Sequence, residues 1–106
     1  MQLFGFDMIL DPVEKTVAFT AENGKAYLVD TATTGAVTVT PPENVYGAKF
    51  AVIDSQANAG TANITVDLSP DLFHGAAADD VFAANMEVGV YFYVDSTVGW
   101  IRVNGI

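Results

Sequence analysis

Few residues in this 106-residue chain have the chemistry for catalysis. The sole histidine, His74, sits in Leu72-Phe73-His74-Gly75, a stretch that reads as a turn. A Ser-His-Asp arrangement would have to use it, and no G-x-S-x-G nucleophile elbow is present. With one His and no Cys, a zinc site has too few ligands to close. Carboxylates are more plentiful: Asp79 and Asp80 are adjacent, with Asp67 and Asp71 upstream. Glycosidic cleavage needs two carboxyl groups facing each other across a cleft, whereas neighbours in a strand point to opposite faces. A calcium site drawing on Asp67, Asp71, Asp79 or Asp80 would satisfy a hard cation's demand for oxygen, but no EF-hand or repeat pattern supports it. Solvated loop acids are the expected reading. Gly60 and Gly75 are isolated turn residues, not a phosphate cradle. No catalytic residue, cofactor or metal is therefore expected.

Two sets of apolar residues remain as sites of contact. Tyr91, Tyr93 and Trp100 have the chemistry of a stacking platform for sugar rings, and equally of cross-strand pairs or an intersubunit contact. The second set lies at the start, where Leu3, Phe4, Phe6, Met8, Ile9 and Leu10 precede Asp11-Pro12. Residues 1–11 read either as an ordinary first strand against the core or as an edge strand or arm docking on a neighbour. Strand addition would supply backbone hydrogen bonds, and the side chains burial of about 25 cal/mol per Å².

The surrounding pattern is that of strands. Thr16 to Thr20 alternates, Glu22-Asn23-Gly24-Lys25 interrupts, and Ala26 to Val29 resumes, which predicts a hairpin across Asn-Gly. Val37 and Val39 share a face before Pro41-Pro42 ends their strand. Lys49 to Asp54 puts Phe50 and Val52 on one face and Ala51 and Ile53 on the other; Ile64, Val66 and Leu68 also share a face. Ser55 to Thr61 is a loop, and Met86 to Asp95 is the longest strand, paired with Trp100 to Val103 in a terminal hairpin. Ala76 to Asn85 shows no stripe at helical spacing and reads as loop with an irregular strand or a single helical turn. These segments predict one all-β domain over residues 1–106, an antiparallel sandwich or jelly-roll-like barrel of about seven to eight short strands.

Thirteen acidic residues against four basic ones give a formal charge of −9. Lys15, Lys25, Lys49 and Arg102 are too scattered to form a phosphate-binding patch, so neither nucleic acid nor an anionic membrane is expected as partner. No stretch reaches the roughly 18 apolar residues of a membrane-spanning helix, and the first residues lack the basic region of a signal peptide. A hydrophobic share of 51%, without any disulfide, leaves oligomerisation as a route to stability.

From Thr38 onward the chain resembles a recurrent β module of tailed-phage virion proteins. The resemblance rests on Val37-Thr38-Val39-Thr40-Pro41, on Gly47 to Ser55, and above all on Asn58-Ala59-Gly60-Thr61-Ala62-Asn63-Ile64-Thr65-Val66, followed by Gly75, Tyr91 to Asp95 and Trp100-Ile101-Arg102. It covers about two-thirds of the chain, and it departs from the pattern at Gln56-Ala57 and over Ala76 to Glu87. It implies a noncatalytic virion part, commonly a homotrimer, with no catalytic residue to carry over. The chain's size, its start at Met1 and its end just past the hairpin suit a stand-alone capsid cement or decoration protein bound to the major capsid protein. A tail-fibre, tailspike or baseplate component, with receptor binding as a role open to it, is the alternative expectation.

Overall fold

The computed structural model describes residues 2–3 and 6–103, with side chains from residue 6 onward. Its described residues form thirteen short strands and no helix, so the chain is all-β. They are β1 (Gln2–Leu3), β2 (Phe6–Asp7), β3 (Ile9–Leu10), β4 (Phe19–Thr20), β5 (Lys25–Val29), β6 (Val37–Thr40), β7 (Lys49–Asp54), β8 (Ile64–Val66), β9 (Leu72–Phe73), β10 (Ala76–Ala77), β11 (Asp80–Phe82), β12 (Val88–Tyr93) and β13 (Trp100–Val103).

A seven-stranded sheet runs β10-β9-β13-β12-β7-β5-β3, and a four-stranded sheet runs β11-β8-β6-β4. Alternation decides which side chains fill the space between them. Tyr27 and Val29 of β5, Phe50 and Val52 of β7, Tyr91 of β12 and Trp100 of β13 come from the large sheet. Val37 and Val39 of β6, Ile64 and Val66 of β8 and Phe82 of β11 come from the small one. All are buried in one cluster, with the Phe50 and Tyr91 rings stacked at 4.8 Å and Trp100 edge-on to Phe50 at 5.3 Å. Thr38 and Thr40, one residue out of phase on β6, are exposed.

Both sheets are mixed, not antiparallel throughout as the turn signals suggest. β5 runs parallel to β7 and β3, and β6 runs parallel to β8 and β4. The Asn23-Gly24 hairpin is the specific error. Glu22 to Lys25 does form a turn, with Gly24 at φ +85° and the Lys25 N–H bonded to the Glu22 carbonyl. The strands on either side of it belong to different sheets, β4 pairing with β6 and β5 with β7. The turn is held from outside its own strands, because the Gly24 N–H donates to the Lys49 carbonyl and Asn23 Oδ1 accepts from the Lys49 N–H. Asn-Gly thus sets a tight turn, and the docking partner decides where its strands go.

The terminal hairpin is as expected. β12 pairs antiparallel with β13, Tyr93 opposite Trp100, and the Asp95 carboxylate accepts from the Thr97 and Val98 N–H groups in the turn. Residues 76–85 hold the irregular strands β10 and β11 and no helical turn.

The outer face of the large sheet has a second, smaller core. Ala26, Ala51 and Val90 project there from β5, β7 and β12, in register across the three strands. The two alanines leave a shallow slot that Met8 fills, with 1% of its surface exposed. Phe6 reaches further across, its ring edge-on to Phe92 at 4.7 Å. The N-terminal segment is therefore a strap that runs from the sheet edge at β3 over the outer face to β12.

Candidate functional site

The strap residues have different fates. Met8 is core, Phe6 and Leu10 are half-buried against the outer cluster, and Ile9 projects to solvent at 62% exposure. Leu3 lies in β1, which pairs with β2, while its side chain and the whole of Phe4 lie outside the described residues. The segment is a strand covering the chain's own core, and it presents one large aliphatic residue outward from an edge strand.

For the aromatic set the structure takes the cross-strand reading, with Tyr93 opposite Trp100, and corrects the platform and the intersubunit contact through Tyr91 and Trp100. Tyr91 and Trp100 have no exposed surface, so neither offers a face to a sugar or to another subunit. Their inward position follows from alternation on β12 and β13: Val90 and Phe92 take the outer face and Tyr91 the inner one. Only Tyr93, at the end of β12, is half-buried with its edge toward Trp100 at 5.5 Å.

The carboxylates are also separated by the fold. Asp79 accepts from the Ser69 N–H, and Asp67 is exposed just after β8. Asp80 instead joins a polar cluster that sequence reasoning did not foresee. Its Oδ2 accepts from the Tyr91 hydroxyl at 2.5 Å and from Arg102 Nη1 at 2.9 Å. Arg102 Nη1 also meets Glu87 Oε2 at 2.9 Å, Nη2 donates to the Val88 carbonyl, and the guanidinium lies 4.7 Å from the Phe82 ring centre. Burial pushes the Tyr91 phenol far above its usual range, and the Asp80 carboxylate beside it adds to this, so it stays a donor. Burial works against charge on Arg102, but the Asp80 and Glu87 carboxylates beside it favour the cation, and its pKa is raised. One cation held by two carboxylates, with a protonated phenol, ties β11 to β12 and β13. It has no free base or nucleophile and acts as a fastening. Gly89 makes room for it, since a Cβ there would lie 2.8 Å from the Tyr91 hydroxyl and 3.0 Å from Arg102 Nε.

His74 likewise has a local role. It adopts φ +52° before Gly75, and its Nε2 accepts from the Arg102 N–H at 3.2 Å. Among the described residues no group of three or more His, Cys, Asp or Glu is placed to hold a metal ion.

The loop after β7 is built on Asp54, a buried carboxylate at the end of that strand. Its Oδ1 accepts from the Asn58 N–H at 3.2 Å, and its Oδ2 from the Ala59 N–H at 3.0 Å and the Met86 N–H at 2.9 Å. The loop folds over this one side chain and drops Ala59 into the main core. Asn58 Nδ2 reaches Thr31 Oγ1, and the Gly60 N–H donates to Asn85 Oδ1. Next to it, at the end of β5, Asp30 accepts from the Ala32 and Thr33 N–H groups and the Thr33 hydroxyl, and these donors, the hydroxyl foremost, hold its pKa below the usual carboxylate value.

A cleft of about 250 Å³ opens at the opposite end of β12, where Asn44, Asp71, Leu72, Tyr93 and Ser96 meet over Gly99. Gly99 is indispensable to it: at φ +76°, a Cβ there would fall 1.9 Å from the Leu72 carbonyl oxygen.

No protein-family model and no curated protein matches this chain. The assignment of a role therefore rests on the residues and their geometry.

Proposed function

We propose that this chain is a noncatalytic structural module of a tailed-phage virion, a cement or decoration protein that acts as a homotrimer on the major capsid protein of the head shell. The observation that carries the reading is the use made of Asp54 and Asn58 to Val66. In the resemblance these residues are the most specific element, and here they form a loop folded around a buried carboxylate and the strand β8 that follows it. In this proposal the two sheets form a sandwich of jelly-roll type, closed on its outer side by the strap.

The strap bears on how such a module would grip a shell. Met8 is committed to its own sheet, whereas Ile9 stands on edge strand β3 with most of its surface free. A neighbouring strand meeting that edge would cover Ile9 without disturbing Met8.

The test has two arms. Quantitative mass spectrometry of purified particles should give a copy number matching the capsomer lattice of the head; a copy number matching a single tail would move the assignment to a tail component. In a co-sedimentation assay with heads lacking the chain, Ile9→Glu should lose binding while its unfolding curve stays close to that of the parent. Undiminished binding would remove the edge-strand grip.

A further inference from the structure

The structure assigns a second feature that the virion reading does not use. We infer that the cleft between Tyr93 and Asp71 is a binding subsite for a neutral pyranose ring. The two proposals are independent, and either can fail alone.

The argument is one of chemistry by elimination and fit. Asp71 lines the cleft and no Lys, Arg or His does, so an anionic ligand would meet a carboxylate and no counter-charge. Asp71 is also the only acidic side chain in the lining, which is too little for a divalent cation that wants six or more oxygens. The walls are too mixed for a lipid chain, with Pro70, Leu72 and Tyr93 set against Asn44, Asp71 and Ser96. What suits such a lining is a ring with an apolar face and a rim of hydroxyls.

The polar groups are free and complementary. Asn44 Oδ1 accepts from the Trp100 indole N–H at 3.1 Å, which fixes the amide and leaves its Nδ2 as donor. Neither that Nδ2, the Asp71 carboxylate, the Ser96 hydroxyl nor the Tyr93 hydroxyl has a hydrogen-bond partner among the described residues. An acceptor, a donor and two hydroxyls that do both are thus carried, unpartnered, by four residues that line one space. Tyr46 adds an aromatic face nearby at 83% exposure, on the turn whose next residue, Gly47, donates to the Tyr93 carbonyl. At about 250 Å³ the cleft falls below the usual range for drug-sized ligands, so it takes one ring and binds it weakly.

Trp100 supplies the readout. It is the sole tryptophan, is fully buried, and bonds through its indole N–H to the side chain of Asn44. Methyl glycosides of glucose, galactose and mannose, with N-acetylglucosamine, would be titrated into the full chain while Trp100 emission and backbone amide spectra are recorded. At least one should give saturable changes in the millimolar range, with amide shifts centred on Leu72, Tyr93, Ser96 and Gly99. Asp71→Asn, at a half-buried surface position, should weaken that binding about tenfold, as expected for loss of a charged acceptor. Asp67→Asn, an exposed acid outside the cleft, should leave it unchanged. Linear, non-saturating changes for every sugar, or shifts centred away from the cleft, would overturn the assignment. So would Asp71→Asn binding as the parent does while its unfolding curve matches the parent's.

Discussion

Removing the Asp54 side chain is the most direct test of the claim that the Asp54–Val66 stretch is architectural. In Asp54→Ala three backbone N–H groups lose a charged acceptor, those of Asn58, Ala59 and Met86. The three losses are unequal. The Ala59 donor is buried beside a side chain in the main core, so water cannot replace the carboxylate there, at a cost of about 2 kcal/mol. The Asn58 and Met86 donors are partly accessible, so water recovers some of each loss, leaving about 0.5–1 kcal/mol apiece. The expected destabilisation is about 3–4 kcal/mol, or a fall in Tm of very roughly 12–30 °C for a domain of this size. Asp54→Asn grades the effect. Its one oxygen can take the Oδ2 place and keep Ala59 and Met86, which turns the amide nitrogen toward the Asn58 N–H. About 1–2 kcal/mol should then be lost. Urea unfolding followed together by Trp100 emission and far-ultraviolet circular dichroism measures both. An Asp54→Ala loss below about 1 kcal/mol, with the denaturant slope unchanged, would refute the structural role given to this carboxylate.

Gly99→Ala should be far worse than Gly89→Ala. At Gly99 the new methyl meets the backbone of Leu72 at a positive φ, so about 3 kcal/mol or more is expected, while at Gly89 it meets side chains, foremost the buried Tyr91 ring and then Arg102, which must shift, and about 1–3 kcal/mol follows; equal midpoints in urea would contradict this. Met8→Ala should empty the slot over Ala26 and Ala51 at about 2–4 kcal/mol, and thermal unfolding that matches the parent would mean the strap is not part of the fold. Asp30 carries a pH dependence. Its folded pKa is depressed, so its contribution is complete above the unfolded value near pH 4 and is lost as pH falls through the lower folded value. Asp30→Asn should flatten the acid limb of a stability–pH curve below about pH 4, and a limb of unchanged steepness would count against the Thr33 and Ala32 hydrogen bonds as its cause.

The parts of the fold legible in the sequence are those that alternation alone decides. Phe50 and Val52 against Ala51, Val37 and Val39 against Thr38, and Tyr91 against Val90 and Phe92 all fall on the faces that period two predicts. The described residues hold thirteen strands, more than the seven to eight expected, because two-residue strands such as β9 and β10 are too short to show alternation. Pairing partners were less legible. Asn23-Gly24 marks a turn by backbone conformation, but the choice between a hairpin and a change of sheet was made by Lys49, which is remote in sequence. Likewise, alternation puts Tyr91 and Tyr93 on one face without telling that the first lies beneath the small sheet and the second beyond its cover. Of the platform, cross-strand and intersubunit readings open to these rings, the structure takes the cross-strand one.

The polar sites were hidden for the same reason, in a stronger form. Arg102 is one of four scattered cations in the sequence, and nothing local announces that Asp80 and Glu87 will meet it. A signal did exist in Gly89, a glycine inside β12, which often marks a close approach of other groups. The cleft has a comparable one in Gly99, the last residue of the hairpin turn, whose missing Cβ lets β9 approach. Asn44, Asp71 and Tyr93 belong to three separate segments, and only that approach brings them together. Where the chain makes a site, then, the local trace is the glycine that admits the neighbour, and the polar residues are recognisable only once the strands are paired.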